Sequence, residues 1–480
     1  MRRTPFLPSV LAATLILSST VAAIDLPDLG DESMAVISPA DERRMGERFI
    51  RQARQALPFL TDPELNNYIQ KLGDSLVAHS DGKGQRFHFY IVDDPAINAF
   101  AVPGGFIVVH SGLIVAAQNE AELASVMAHE IAHVTQRHIP RMIAEAQRTS
   151  LPTMAAVLAA LLLAGSGAGG GDAALAATIA GSAQHGINFT RQFEQEADRI
   201  GINTLAASDY DPRAMAAFFT RMQNLTRIYD GNLPEYLRTH PVTSNRIAEA
   251  STRALQFPYR AKPDSIDFYL ARAKIQALTA ENANEAALGF KAKLKEDRYT
   301  SRLAAQYGYA VALLRSRQLS DAKLETEKLI KQEPSRIAFQ LLAADIATAA
   351  GHPDVAAKML AAVHRQHPNY LPLLQAYSVA LIQAGQQREA TKLLQSAVRK
   401  YPDNPIFFKL LAQAAEETGD QFESHRAIAQ FYYLNGVPKL ALEQLRIARR
   451  YTGESKYLQQ SIDARIKEIE NEMALFQPAG

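Results

Sequence analysis

The second half of the chain repeats with a period of 34 residues, and this period constrains the fold more than any other feature. Three markers keep register: a proline that closes each unit, a glycine, and a small residue five positions after the glycine. They are Pro334, Pro368 and Pro402; Gly351, Gly385 and Gly419; and Ala356, Ala390 and Ser424. Small residues let paired helices touch, and proline cannot continue a helix. The period therefore predicts a stack of helix pairs.

This pattern resembles tetratricopeptide repeats, whose helix pairs form a solenoid. One unit upstream the phase persists at Ala322, although Arg317 replaces the glycine. Gly436 and Ala441 restart the interval out of phase, which predicts irregular or capping last units. We predict a tetratricopeptide-repeat domain over residues 263–480, with unrelated helix pairs as the alternative. Such solenoids bind peptides or partner proteins on a concave face.

Charge and cysteine content exclude several classes of protein. The 480 residues include 51 Lys and Arg against 50 Asp and Glu, so the formal charge of +1 argues against nucleic-acid binding. Charged residues at 21% and hydrophobic residues at 47% are typical of a globular protein that is not polytopic in the membrane. With no cysteine, disulfide scaffolds, thiol nucleophiles and thiolate metal sites are excluded. Histidines and carboxylates would have to hold any metal ion.

The N-terminus has the pattern of a secretory signal peptide. Arg2 and Arg3 precede an apolar run over Val10–Leu17, and the small residues Val21-Ala22-Ala23 follow. We expect residues 1–23 to be removed by cleavage after Ala23. A short N-terminal membrane anchor is the alternative, and the lack of cysteine at the cleavage point excludes a lipoprotein anchor. An exported protein without cysteine suits the bacterial periplasm.

Residues 24–262 are predicted to form a separate, helix-dominated domain with a small sheet. Phe87–Val92 and Ala99–Val109 are rich in aromatic and β-branched residues, and Pro103-Gly104-Gly105 marks a turn within the second stretch. This second stretch offers an edge to which an extended substrate could add as a strand. An ordinary hairpin inside the sheet is the alternative.

The first chemical motif is the pentapeptide from His129 to His133, which reads HEIAH. The surrounding sequence has no Gly or Pro from Ser125 to Ile139, which predicts a helix. On a helix, His129 and His133 share one face and can bind one cation, and Glu130 points to the side, where it can take a proton. Two neutral imidazoles suit zinc, and a third protein ligand leaves a position open. A surface helix with two satisfied histidines is the alternative.

A second motif presents Glu194 and Asp198 four residues apart on a helical stretch. One of these carboxylates can bind a metal while the other orients a ligand imidazole. HExxH followed some sixty residues later by ExxAD resembles the gluzincin peptidases of the CAAX-prenyl-protease and HtpX type. The strings AFAVPGGFIVVHSGLI and THPVTSNRI extend the resemblance to exported members with C-terminal tetratricopeptide repeats.

The resemblance implies a mainly α (α+β) protein: a zincin metallopeptidase domain with a small β-sheet, followed by the helical solenoid. It implies one zinc ion per chain, with Glu130 as catalytic base and Asp198 as a carboxylate behind the ligands. His240 is implied as a switchable fourth ligand that latches the site, and stabilisation of the transition state is its competing role. The implied metal ligands are His129, His133, Glu194 and His240.

Other side chains near the motifs could take the same roles. Glu196 competes with Glu194 as third ligand, and the family pattern favours Glu194 because it is the first acid of ExxAD. His138 lies on a different helical face from the motif histidines, which indicates a surface residue or one behind the ligands. His110 and His185 have no ligand spacing and remain unassigned.

By resemblance, the predicted function is periplasmic zinc endoproteolysis of unfolded or misassembled outer-membrane β-barrel proteins, together with assistance in their assembly. The repeats are expected to dock on the β-barrel assembly machinery. A periplasmic chaperone or scaffold with a residual or latched metal site is the alternative. The segment 149–190 has Asp172 as its only formal charge. It is interpreted as a mobile lid or a surface for membrane-proximal clients, or else as a low-complexity loop with a buried Ala/Leu helix. Peripheral contact with a membrane is a further expectation.

Overall fold

A computed structural model describes residues 37–148, 191–228, 235–259 and 262–474. The predicted signal peptide and the segment 149–190, which includes Asp172 and His185, lie outside the described residues. In these ranges no helix combines the length and the apolar character needed to cross a membrane.

The first part of the described chain is a helical domain around a small sheet. Its first helix begins where Ser38 and Asp41 form a capping box and Pro39 takes the first helical position. The elements are α1 (Pro39–Ala56), α2 (Pro63–Val77), β1 (His88–Val92), β2 (Ala99–Val102), β3 (Phe106–His110), α3 (Ser111–Ala116), α4 (Glu120–Thr135), α5 (His138–Arg148), α6 (191–207), α7 (Arg213–Ile228), α8 (Glu235–Thr239) and α9 (Ser244–Ala254).

The sheet has the strand order β1-β3-β2, with β1 parallel and β2 antiparallel to β3. The predicted turn at Pro103-Gly104-Gly105 joins β2 to β3. Gly104 has φ +82°, and a Cβ there would lie 2.6 Å from the Cα of Arg43 in α1, so this turn requires glycine. Helix α1 covers one face of the sheet through Phe49 and Ile50. Helices α2 and α4 cover the other face, so α4 lies directly against the sheet.

The second part is a series of helix pairs, as the 34-residue period predicts. Gly351, Gly385 and Gly419 adopt positive φ values between the two helices of a pair, and Arg317 adopts φ +62° at the position where the glycine is replaced. The helices are α10 (Ile266–Thr279), α11 (Ala283–Lys295), α12 (Arg302–Arg315), α13 (Leu319–Gln332), α14 (Ile337–Ala349), α15 (Pro353–Gln366), α16 (Leu371–Gln383), α17 (Gln387–Lys400), α18 (Pro405–Glu417), α19 (Gln421–Leu434), α20 (Pro438–Ala448) and α21 (Lys456–Ala474).

The two parts share contacts at both ends of the solenoid. Phe268 and Ile275 of α10 are fully buried in the same hydrophobic cluster as α2 and α4. At the other end, Arg54 of α1 donates to the carbonyl oxygen of Leu434 at 2.8 Å. The domain boundary at 262/263 stays a prediction, and helix α10 contributes to the core on the other side of it.

Candidate metal centre

Helix α4 carries the HEIAH pentapeptide in the interior of the first domain. It begins at an N-cap, Asn119, whose side chain accepts from the backbone of Glu122. His129 is 0% and Glu130 is 1% exposed, so the alternative of a surface helix is wrong. The helix ends at Thr135, short of the glycine- and proline-free run, because Arg137 takes a left-handed φ of +52°. The chain then begins α5 at His138 in a new direction.

Four side chains from three segments converge, and two of them, His129 and His133, belong to α4 itself. Helix α6 brings Glu194, and His240 follows α8 directly. The ligand atoms of His129, His133, Glu194 and His240 all lie within 4.8 Å of one another. Glu194 Oε1 is 3.2 Å from His133 Nε2 and 2.9 Å from His240 Nδ1, and its Oε2 is 3.3 Å from His129 Nε2.

The donor set and its electrostatics fit a divalent cation such as zinc. Three imidazoles and one carboxylate are ligands that zinc prefers. Burial lowers the pKa of His129, but the carboxylates of Glu194 and Asp198 outweigh burial and raise the pKa to about 10. Burial also raises the pKa of Glu194, yet the nearby His240 and His129 hold it well below its usual range. The buried carboxylates therefore favour positive charge at this point.

Asp198 lies behind the candidate ligands, one helical turn after Glu194. Its Oδ1 is 3.0 Å from Nδ1 of His129, so it can fix that imidazole with Nε2 directed at the cluster. Arg246 of α9 donates to both Asp198 oxygens at 2.7 and 2.8 Å. Its Nη1 lies 2.9 Å from Glu194 and donates to the Pro241 carbonyl at 2.8 Å. Arg246 thus connects α6 to the segment that carries His240.

The loop position of His240 is supported from two sides. Its ring stacks on Tyr236 with centroids 4.9 Å apart, and its Nε2 lies 3.4 Å from Glu130 Oε1. The backbone amide of Tyr236 donates to the carbonyl of Ile97, just before β2. Sequence reasoning assigned no role to Tyr236 or Arg246. Arg246 lies within the string THPVTSNRI, but nothing in the sequence indicates its distant partner.

The competing residues are also placed by the structure. Glu196 points away from the cluster and contacts His138 at 3.2 Å and Arg141 at 2.9 Å. His138 is 2% exposed, so the surface alternative is wrong, and its Nδ1 lies 2.8 Å from His133 Nδ1. Burial, with His133 and Arg141 nearby, lowers the pKa of His138 to about 2. His110 is buried at the end of β3, outside the cluster.

The HExxH helix inside the first domain, followed by a helical solenoid, defines the class: a metallopeptidase with tetratricopeptide repeats. Residues 63–254 match Peptidase family M48, and residues 347–414 match a Tetratricopeptide repeat. The chain is 34% identical over 478 residues to the beta-barrel assembly-enhancing protease of Escherichia coli (strain K12), covering 98% of each protein. The Yersinia pestis protein of that name is 36% identical over 446 residues, which cover 92% of this chain and 91% of that protein.

A more distant relative matches less than half of the chain. The mitochondrial metalloendopeptidase OMA1 of Arabidopsis thaliana is 26% identical over 223 residues, which are 42% of this chain and 41% of that protein. The chain belongs to the family of beta-barrel assembly-enhancing proteases, and it is a metalloendopeptidase.

Proposed function

We propose that this chain is a periplasmic, zinc-dependent endopeptidase that degrades misassembled outer-membrane β-barrel proteins and assists their assembly. The observation that carries the proposal is the buried Glu130 beside a cluster of three imidazoles and a carboxylate. The names of the full-length relatives support the substrate class. The signal-peptide pattern and the absence of cysteine support the periplasm.

In this proposal His129, His133 and Glu194 hold zinc, and His240 supplies a fourth ligand. Zinc, when bound, lowers the pKa of a water molecule and polarises the scissile carbonyl. Asp198 and Arg246 fix the orientation of His129 from behind. Two ligands one turn apart on α4 give the site a rigid base.

Glu130 is the proposed general base. Its carboxylate is buried, and its Oε1 lies 3.4 Å from Nε2 of His240, at the edge of the candidate metal cluster. Glu130 takes a proton from the attacking water and returns it to the leaving amine. Burial keeps bulk water away, which strengthens the electrostatic interactions inside the site.

Strand β2 is the proposed docking edge for substrate. In the described part of the chain it pairs with β3 alone, so its other edge can accept an extended polypeptide. Helix α4 packs against β2, which brings this edge close to the helix that carries Glu130. Recognition through backbone hydrogen bonds would select unfolded chains over folded ones.

His240 is proposed as a latch. Its ring reaches Glu194 and Glu130 from a loop before Pro241, and a loop imidazole can leave the cluster while His133 on α4 cannot. His240→Ala should therefore raise the cleavage rate of an unfolded substrate and keep zinc bound through the other three ligands. Lower turnover with zinc retained would instead assign His240 to transition-state stabilisation.

The solenoid is proposed to dock on the β-barrel assembly machinery, because tetratricopeptide repeats bind peptides or partner proteins on their concave face. A second candidate function, a chaperone or scaffold with a latched site, is favoured by the buried position of His240 next to the other three donors. Degradation of an unfolded substrate separates the two functions. Wild type should cleave it, whereas Glu130→Gln should keep zinc and lose at least about 100-fold in rate. Equal rates for both proteins would contradict the peptidase proposal.

A further inference from the structure

The two ring nitrogens of His133 have different neighbours. Its Nε2 faces the candidate metal cluster, 3.2 Å from Glu194 Oε1 and 3.0 Å from His129 Nε2. Its Nδ1 points the opposite way and lies 2.8 Å from Nδ1 of His138. His138 begins α5, only five residues along the chain, and reaches this position because the backbone reverses at Arg137.

The directions of these hydrogen bonds follow from the chemistry of imidazole. A nitrogen that binds a metal cannot carry a proton, so neutral His133 must carry its proton on Nδ1. That proton is donated to His138 Nδ1, which must then be the acceptor. The proton of neutral His138 is consequently on Nε2, which lies 3.2 Å from the carboxylate of Glu196. Each bond in the series therefore has one donor and one acceptor.

Further contacts hold this series in place. Arg141 of α5 donates to the same Glu196 oxygen at 2.9 Å. The His138 ring stacks on the Phe193 ring with centroids 4.3 Å apart. The Arg141 guanidinium lies 4.5 Å from the centroid of the Phe193 ring. Phe193 and Glu196 both belong to α6, the helix that brings Glu194. The contact thus ties the end of the HExxH segment to the helix of the third ligand.

The arrangement matches the one behind the other motif histidine. There the Oδ1 of Asp198 lies 3.0 Å from Nδ1 of His129, and Asp198 is itself held by Arg246. Here His138 accepts from Nδ1 of His133 and is held through Glu196 by Arg141. Each motif histidine therefore has an acceptor next to its Nδ1, and an arginine holds that acceptor in place directly or through Glu196. This leaves Nε2 of each motif histidine directed at the cluster.

We propose that His138 and Glu196 are positioning residues that set the tautomer and orientation of His133 for metal binding. This inference rests on the proposed zinc site. It explains why Glu196, two residues from Glu194, is turned away from the cluster: its carboxylate acts through His138 rather than on the metal.

The test compares zinc affinity, measured by chelator competition, across four variants of the full chain. His138→Phe keeps a ring against Phe193 but removes the acceptor, whereas His138→Asn places an amide oxygen where Nδ1 was. Glu196→Gln removes the charge at a partly exposed position and leaves the core intact. His79→Phe is the matched control, because His79 is an exposed histidine of the same domain.

His138→Phe should weaken zinc binding by about 10- to 100-fold. His138→Asn should recover most of that loss, and Glu196→Gln should show a smaller loss of about threefold to tenfold. His79→Phe should match wild type. The absorption spectrum of the cobalt-substituted protein should change in His138→Phe and return toward wild type in His138→Asn, which a packing role would not produce.

Three results would overturn the inference. Wild-type affinity in His138→Phe would show that His133 needs no acceptor. Equal losses in the Phe and Asn variants, with unfolding temperatures lowered alike in the presence of chelator, would reduce His138 to a packing residue. A wild-type protein that binds no zinc would overturn both this inference and the proposed function. Either of the first two results, in a wild-type protein that does bind zinc, would overturn the inference alone.

Discussion

The peptidase domain and the repeat domain bury different kinds of side chain. In the repeats, the positions five residues after the marker glycines are small, and two of them, Ala356 and Ala390, are completely buried. In the peptidase domain, the same degree of burial is reached by ionisable groups such as His129 and Glu130. Buried charge is costly unless it is paired, whereas buried alanine carries no such penalty. The repeats therefore gain their stability from the packing of neighbouring units, while the candidate metal centre depends on partners from distant segments.

The largest expected effect concerns the junction between the two regions. A chain of residues 24–262 loses Phe268 and Ile275, which are fully buried in the peptidase core. Because truncating one buried large side chain costs about 2 to 5 kcal/mol, that chain should be largely unfolded. A chain of residues 24–279, which keeps α10, should fold and bind zinc. Circular dichroism melts of the two chains check this, and equal melting temperatures would show that α10 is dispensable.

The second prediction compares one arginine from each region. Arg246→Met leaves the buried Asp198 without its cation, and breaking a buried pair costs about 3 to 5 kcal/mol. Arg336→Met in the repeats removes ion pairs with the solvent-exposed Asp267 and with Glu333, each worth at most about 1 kcal/mol. Urea unfolding of both variants gives the two values. Equal losses in the free energy of unfolding would mean that the buried ion pair of the peptidase domain contributes no more to stability than the exposed pairs of the repeats.

These contrasts explain what could be predicted from sequence. The repeats were predictable because each unit makes the same contacts at the same spacing, and the replacement at Arg317 did not hide the period. The HExxH helix was predictable because its two histidines are one turn apart. Both patterns are local, so they are visible in a single chain.

The supports of the metal centre could not be predicted in the same way. Arg246 pairs with a residue 48 positions earlier, and no local pattern indicates that contact. The sequence predicts a continuous helix with His138 on another face. The left-handed backbone at Arg137 ends that helix, and no glycine marks the break. The sequence shows which residue types are present, but their convergence depends on how α4, α6 and α9 pack.

A smaller effect is expected from a titratable group in the peptidase domain away from the metal centre. Burial, with Arg43 and Arg86 nearby, lowers the pKa of His88 to about 4. Between the ordinary histidine pKa of about 6.5 and pH 4, the unfolded chain binds a proton that the folded chain does not, so stability falls as the pH falls. The loss should be at most about 3 kcal/mol and complete near pH 4.

The variant His88→Gln isolates the contribution of His88 titration to stability, because the Gln amide oxygen does not titrate and can still accept from Arg43. In the native protein, Nη2 of Arg43 lies 3.0 Å from His88 Nε2. Urea unfolding at pH 7 and pH 4 should show a steeper loss for wild type than for the variant. Parallel losses would mean that His88 titrates normally in the folded protein.

The central claim is that side chains from distant segments build one zinc site, and the two glutamates of α6 test it most directly. Zinc content after dialysis should be about one per chain for wild type and Glu196→Ala, and close to zero for Glu194→Ala. The pair is matched because both changes truncate a glutamate on the same helix. Full zinc in Glu194→Ala with loss in Glu196→Ala would contradict the account, as would a wild-type protein without zinc.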